Sequence, residues 1–253
     1  MRTAIVIPAR YASSRLPAKP LLRETGKYLI QHVYERAMEA RRASEVIVAT
    51  DDERIFDAVR SFGGRVVMTR SDHASGTDRI AEVAAHLDCD SVVNLQGDEP
   101  QFEPQALDHL VDLLSSDSHN DMGTLAVPIT DEEVYLSPNV VKVVCDDEGR
   151  ALYFSRSPIP MVRDGEPDFA ARPARFLQHL GVYAYRREFL LRIAATPPHR
   201  LEQSEKLEQL RVLGVGGQIR VGLVVRAHRG VDTPDDYAAF VRSYREGQTR
   251  WAA

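Results

Sequence analysis

The chain has 253 residues, 43% hydrophobic and 27% charged, with a formal net charge of −5. That length suits one large α/β domain or a core with a substantial insertion, and the mild acidity excludes a general binder of nucleic acid or anionic membrane. The cysteines, Cys89 and Cys145, lie at apolar segments without a Cys-x-x-Cys; they read as free thiols in a reducing compartment.

The first apolar run, Thr3–Ile7, ends at Pro8 and reads as a buried parallel strand. It enters at once, with no leader pattern before it, and no apolar run approaches membrane-spanning length. A cytoplasmic location is therefore expected. A loop of small residues, prolines and cations follows, in which Arg10, Arg15 and Lys19 lie without an intervening acid. This is either an ordinary basic surface loop or a polyphosphate site at the end of a strand, where α/β folds place ligands. It is neither a Walker A sequence nor a G-x-G-x-x-G fingerprint, so side chains rather than a glycine nest would hold the phosphates.

A helix is predicted from about Tyr28 to Arg42, with Leu29, Ile30, Val33, Ala37 and Met38 on one face. Glu45–Thr50 is the second strand, and Asp51-Asp52 caps a helix carrying Ile55, Phe56, Val59 and Phe62. After Gly63-Gly64 come a third strand, Arg65–Met68, and a helix from about Arg79 to Leu87. Ser91–Leu95 is the fourth strand, and Pro104 opens a helix to about Leu114. This alternation predicts a parallel sheet with helical crossovers.

The pattern changes after Asp117. Strands are expected at Met122–Pro128, Asn139–Asp146, Ala151–Ser155 and Leu180–Tyr185, with a mobile loop over Arg163–Arg175. A short helix at Arg187–Ala195, a longer one at Leu201–Gly214, a strand at Ile219–Val225 and a final helix opened by Thr233-Pro234 complete the chain. The predicted organisation is an α/β core over 1–119, an antiparallel insertion over 120–186, and a return to the core over 187–253.

Asp98 and Asp232 each follow a strand, so both are either turn and helix-start residues or a carboxylate pair for Mg²⁺, which takes oxygen ligands together with substrate phosphates. Ser75-Gly76-Thr77-Asp78 follows the third strand and is either a helix cap or a hydroxyl-rich contact to a nucleotide. His179, Tyr183 and Tyr185 share a strand, and Glu202, Glu205 and Glu208 recur at helical spacing, a pattern usual for a solvated face. No Ser-His-Asp or Cys-His set supports acyl transfer.

The ordered set Ile7-Pro8-Ala9-Arg10 to Lys19-Pro20-Leu21, Val48-Ala49-Thr50-Asp51, Ser75-Gly76-Thr77-Asp78-Arg79, Asn94-Leu95-Gln96-Gly97-Asp98-Glu99-Pro100, Ala151–Arg156, His179-Leu180-Gly181-Val182-Tyr183, Leu207-Glu208-Gln209-Leu210-Arg211 and Val231-Asp232-Thr233-Pro234 resembles the 3-deoxy-manno-octulosonate cytidylyltransferase (CMP-Kdo synthetase) family over nearly the whole chain. The resemblance implies a Rossmann-like, mostly parallel sheet flanked by helices, of the nucleotide-diphospho-sugar transferase type, with an antiparallel insertion. It also implies that CTP and Kdo give CMP-Kdo and pyrophosphate, with Mg²⁺, in a cytoplasmic homodimer that supplies lipopolysaccharide synthesis, the insertion providing dimer contact and part of the sugar site.

The expected roles are then Arg10, Arg15 and Lys19 on the triphosphate, with Lys19, Arg15 and Asp98 catalytic, and Asp98 and Asp232 on the metal. Ser75, Gly76 and Arg79 are expected near the nucleotide. Gln96, Arg156, His179, Tyr183, Tyr185 and Glu208 are expected on the sugar. Glu99 makes the turn look like the Kdo form rather than the Gly-Asp-Gln-Pro of an 8-amino-sugar form. The rival readings are a CMP-sialate synthetase, which would share the CTP chemistry, and a non-catalytic nucleotide-binding protein; an NAD-dependent oxidoreductase is disfavoured by the missing glycine fingerprint.

Overall fold

The computed structural model describes residues 1–13, 15–227 and 230–251; Ser14, within the basic loop, lies outside the described residues. The strands are β1 (Thr3–Ala9), β2 (Glu45–Thr50), β3 (Val66–Met68), β4 (Ser91–Asn94), β5 (Met122–Pro128), β6 (Lys142–Cys145), β7 (Ala151–Ser155), β8 (Leu177–Arg186) and β9 (Ile219–Leu223). The helices are α1 (Leu29–Met38), α2 (Glu53–Ser61), α3 (Gly76–Ala85), α4 (Pro104–Ser116), α5 (Glu132–Leu136), α6 (Arg187–Ala194), α7 (Arg200–Glu205), α8 (Gln209–Gly214) and α9 (Pro234–Trp251). The fold is mixed α/β, as expected, and divides into two compact units: Arg2–Asp108 with His228–Ala253, and His109–Ala227 with Met1.

In the first unit the strands lie in the order β3-β2-β1-β4, and every pair is parallel. β1 is apolar without alternation because both of its faces are covered; Ala4, Ile5, Val6 and Ile7 are at most 1% exposed. Ile5, Val6 and Ile7 each contribute about 1.5–3 kcal/mol on burial. Parallel strands all release their loops at one carboxyl edge, so the segments after β1 and β4 emerge together. Asp52 caps α2 by accepting from the Arg54 N–H at 3.0 Å, and Ser75 caps α3 by accepting from the Asp78 N–H at 3.2 Å.

The start of α9 is closed reciprocally. The Asp236 carboxylate accepts from the Thr233 N–H at 3.0 Å, and the Asp236 N–H donates to the Thr233 hydroxyl at 3.2 Å. Tyr237, Phe240 and Val241 of α9 form a cluster with Leu16, Leu29 and Val231, and the Val231 N–H donates to the Asp98 carbonyl at 2.8 Å. This packing brings the end of the sequence to the basic loop.

In the second unit β5 pairs antiparallel with β8 and parallel with β9, and β6 pairs antiparallel with β7 and β8. Because β9 joins β5, the compact unit continues to Ala227, whereas the sequence reading ended that segment at 186. A bulge interrupts the β5–β8 register between Thr124 and Leu125.

Apolar spacing predicts one helix over Leu201–Gly214, but the structure has two. Lys206 takes a left-handed conformation (φ 56°) and ends α7, its N–H bonded to the Glu202 carbonyl at 2.8 Å. The buried Glu202 and Arg211 clamp the two helices through a bidentate ion pair, at 2.8 and 2.5 Å. Between Arg163 and Arg175 there is no regular element, although Phe169 packs against Tyr135 and Phe176. The short helix α5, capped by Asp131, has no counterpart among the predicted elements.

Candidate active site

At the carboxyl edge of the first unit is a cavity of about 400 Å³. Its floor is Pro8, Ala9 and the Gln96-Gly97-Asp98 turn, and its rim is the basic loop with Arg10, Arg15 and Lys19, together with Asp232. Gly97 is required here by space: a Cβ would come within 2.9 Å of the Pro8 carbonyl, so the turn after β4 lies against the backbone of β1. Lys19 begins a single 3-10 turn (Lys19–Leu21) set by Ala18 in a left-handed conformation, φ 53°.

That turn aims the Lys19 ammonium between two carboxylates distant in sequence. Nζ lies 2.6 Å from Asp98 Oδ2 and 3.1 Å from Asp232 Oδ1. The Lys19 side chain is only 13% exposed, against 28% and 44% for the two acids, so the cation is the shielded centre of the group. Arg15 Nη2 reaches Asp232 Oδ1 at 3.2 Å. Beneath them the Glu99 carboxyl is pushed up to about 8, first by burial and then by the neighbouring Asp98 and Asp232 charges. Its Oε2 has no hydrogen-bond partner among the described residues.

The other expected nucleotide contacts divide. Gly76 approaches the cavity floor: a Cβ there would sit 3.5 Å from the Pro8 ring and 3.9 Å from Gln96 Oε1. Ser75 spends its hydroxyl as the cap of α3. Arg79 is 5% exposed, with Nη1 donating to Thr69 Oγ1 at 2.6 Å and Nη2 to Asp51 Oδ2 at 3.0 Å. Neither lines the cavity; both brace the segment that presents Gly76. Gln96 does line it, with Nε2 donating to Asn94 Oδ1 at 3.1 Å.

The second unit holds the remaining residues expected on the sugar. Burial pushes His179 down to about 3, so it is neutral. Its Nε2 lies 2.9 Å from the Thr124 hydroxyl, whose own proton goes to the Val182 carbonyl at 2.8 Å or the Leu180 carbonyl at 3.2 Å. Thr124 must then accept, which puts the ring proton on Nε2 and leaves Nδ1 as an acceptor. Phe154, His179, Tyr183 and Tyr185 form a run of ring contacts. Tyr183, raised well above its usual range by burial, donates to Gln209 Oε1 at 3.2 Å.

Gln209 is 3% exposed, and its Nε2 has no partner among the described residues. It was not singled out from the sequence, although it follows Glu208 in the Leu207–Arg211 run that carries the resemblance. Glu208 itself is exposed at the start of α8. Arg156 follows β7, half-buried, with Nε bonded to the Glu205 carbonyl at 2.8 Å.

The family description "Cytidylyltransferase" matches residues 4–219. A 3-deoxy-manno-octulosonate cytidylyltransferase of Geotalea daltonii is 54% identical over 241 residues, covering 93% of this chain and 95% of that protein. The chain belongs to the 3-deoxy-manno-octulosonate cytidylyltransferase family. A second member, from Syntrophobacter fumaroxidans, is 54% identical over 244 residues, covering 95% of this chain and 96% of that protein. The solved structure of CMP:2-keto-3-deoxy-manno-octonic acid synthetase complexed with CTP superposes with a TM-score of 0.91 at 45% identity, covering 98% of this chain and all of that one. A Leptospira borgpetersenii cytidylyltransferase, 16% identical with a TM-score of 0.60, shares the fold.

Among the described residues no helix is long and apolar enough to cross a membrane. No group of three or more His, Cys, Asp or Glu side chains arranged for a metal occurs there either. Two convergent carboxylates with ligand positions left for substrate phosphates are nevertheless a donor set suited to Mg²⁺, and Asp98 and Asp232, already brought to one ammonium, fit it.

Proposed function

We propose that this chain transfers CMP from CTP to 3-deoxy-D-manno-octulosonate, releasing pyrophosphate. The observation that carries this reading is the convergence of Lys19, Asp98 and Asp232, 79 and 213 residues apart, at one cavity in the cytidylyltransferase-type fold. Arg10, Arg15 and Lys19 bind the triphosphate as three fixed positive charges, and Lys19 and Arg15 stabilise the charge that develops on the departing pyrophosphate. A Mg²⁺ held by Asp98 and Asp232 would supply further charge neutralisation and would acidify the attacking sugar hydroxyl. Gly76 leaves room for close backbone approach of the nucleotide.

In the other unit Arg156 pairs with the sugar carboxylate. His179 Nδ1, the Gln209 amide and Glu208 meet hydroxyls, and Tyr183 fixes the Gln209 orientation. The nucleophile is the anomeric hydroxyl of the sugar, and no side chain is required as a dedicated base. The resemblance further supports a cytoplasmic homodimer that feeds lipopolysaccharide synthesis; sedimentation of the purified chain tests the dimer.

The test is pyrophosphate release with Mg²⁺, each of four nucleoside triphosphates, and a panel of acidic sugars. Release with CTP and 3-deoxy-D-manno-octulosonate, and not with sialic acid, supports the proposal. Preference for sialic acid or an 8-amino analogue replaces the sugar assignment, and CTP binding without product from any sugar overturns the enzyme reading.

A further inference from the structure

One buried cation in the His109–Ala227 unit has no part in the chemistry above. Lys142, on β6, is fully buried, and desolvation pulls its amine below the usual lysine range. An ammonium has three donors to satisfy. Nζ donates to the carbonyls of Ser137 at 2.8 Å, Val140 at 2.7 Å and Arg156 at 2.6 Å. The lysine therefore ties the segment before β6 to the residue just after β7, and that residue is Arg156.

Glu205, at the end of α7, grips the same residue from another side. Oε2 accepts from the Arg156 N–H at 2.9 Å, Oε1 accepts from the Ser155 hydroxyl at 2.6 Å, and the Glu205 carbonyl accepts from Arg156 Nε at 2.8 Å. Arg156 Nη1 donates to the Pro138 carbonyl at 3.2 Å. The main chain of Arg156 is thus held at both its N–H and its carbonyl, and its guanidinium along the Nε and Nη1 positions. Among the described residues these bonds leave Nη2 without a partner. Two cations, Lys142 and Arg156, stand against the single carboxylate of Glu205, so the cluster retains positive charge to meet an anion.

We infer that Lys142 and Glu205 are positioning residues that hold the Arg156 guanidinium in one orientation for the carboxylate of an acidic sugar. The inference rests on the reading of Arg156 as the contact to that carboxylate. Pairing of arginine with a carboxylate depends on the plane of the guanidinium, and a side chain already anchored at two of its three nitrogens loses less rotamer freedom when the anion binds.

The test is steady-state kinetics of the full chain with CTP and 3-deoxy-D-manno-octulosonate. Arg156→Ala first tests the underlying reading: it raises the sugar KM with little change in the KM for CTP. Glu205→Gln presents an amide donor to one of the two donors that Glu205 now accepts from, and is expected to raise the sugar KM roughly tenfold. The KM for CTP stays within about twofold, and Lys142→Met shifts the same parameter. In the Arg156→Ala background Glu205→Gln adds nothing further to the sugar KM.

If Arg156→Ala raises the sugar KM and Glu205→Gln does not, positioning is overturned while the Arg156 reading stands. If Glu205→Gln raises both KM values alike, or adds to Arg156→Ala, its role is general folding and the inference is overturned. If Arg156→Ala leaves the sugar KM unchanged, the reading beneath it fails, and the inference with it. Should Glu205→Gln not fold, Ser155→Ala removes one donor to the same carboxylate; a smaller rise confined to the sugar KM supports the inference, and no rise overturns it.

Discussion

Replacing Lys19 by methionine keeps an unbranched stem of similar length and removes the charge. Two consequences compete. The free protein loses the ion pairs of Nζ with Asp98 at 2.6 Å and Asp232 at 3.1 Å. Both carboxylates are partly exposed, and Arg15 still lies 3.2 Å from Asp232, so the stability cost is about 1 kcal/mol per pair at most. On the proposed function, the reaction loses a shielded cation that stabilises the charge developing on pyrophosphate. Removing one such preorganised group costs on the order of 10²–10³ in kcat, about 2.7–4 kcal/mol. Lys19→Met should therefore remain folded and lose activity out of proportion to its stability. Lys19→Arg should recover only part of that activity, because a planar fork does not reproduce a point charge between two carboxylates. Pyrophosphate release at saturating CTP and sugar, with guanidinium unfolding of the same preparations, measures both quantities. A kcat within about threefold of the parent would refute the reasoning, as would a stability loss large enough by itself to explain the inactivity.

Asp98→Asn and Asp232→Asn should each abolish turnover at ordinary Mg²⁺ while leaving the unfolding midpoint near that of the parent; near-parental turnover by either removes the carboxylate pair from the account. His32 predicts a pH effect. It is buried against Phe240 and Tyr244 with Nε2 on the Thr25 hydroxyl at 2.7 Å, and burial, then the Lys27 charge, lowers it to about 4 from 6.5. Between those values the unfolded chain binds a proton that the folded chain does not. This contribution to stability is therefore complete above about pH 6.5 and drains by roughly 3 kcal/mol as the pH falls to 4. The unfolding midpoint should fall less between pH 7 and pH 4.5 in His32→Gln than in the parent; equal losses would contradict the assignment. Glu202→Ala leaves the Arg211 guanidinium buried without its carboxylate and should cost about 3–5 kcal/mol, read by guanidinium unfolding; a loss under 1 kcal/mol would show that the α7–α8 clamp is not needed.

The strands of the first unit were legible because burial on both faces leaves uninterrupted apolar runs, as in Thr3–Ile7 and Val46–Ala49. Asp98 and Asp232 could be paired on paper because each follows a strand, but what joins them is the packing of α9 and the Val231 N–H bond to the Asp98 carbonyl. What escaped the sequence depends on contacts between residues far apart in it. Apolar spacing continues across Lys206, so nothing local predicts the left-handed residue that divides α7 from α8. Arg79 reads like any other cation beside a Gly-Thr-Asp turn, and only its bonds to Thr69 and Asp51 show that its guanidinium is committed elsewhere. Glu208 and Gln209 are neighbours in one motif, yet consecutive helical positions face different directions: the first is exposed, and the second is buried against Tyr183. Lys142 sits in a Val-rich strand, where periodicity alone does not distinguish a buried, triply bonded ammonium from a surface lysine.

The most direct measurement follows the α-phosphorus of CTP. With CTP labelled at that position, Mg²⁺ and 3-deoxy-D-manno-octulosonate, the label should move into a CMP-sugar in step with pyrophosphate release, and Asp98→Asn should stop both. Label recovered only as unreacted CTP or as free CMP, with no sugar adduct, would contradict the account at its centre.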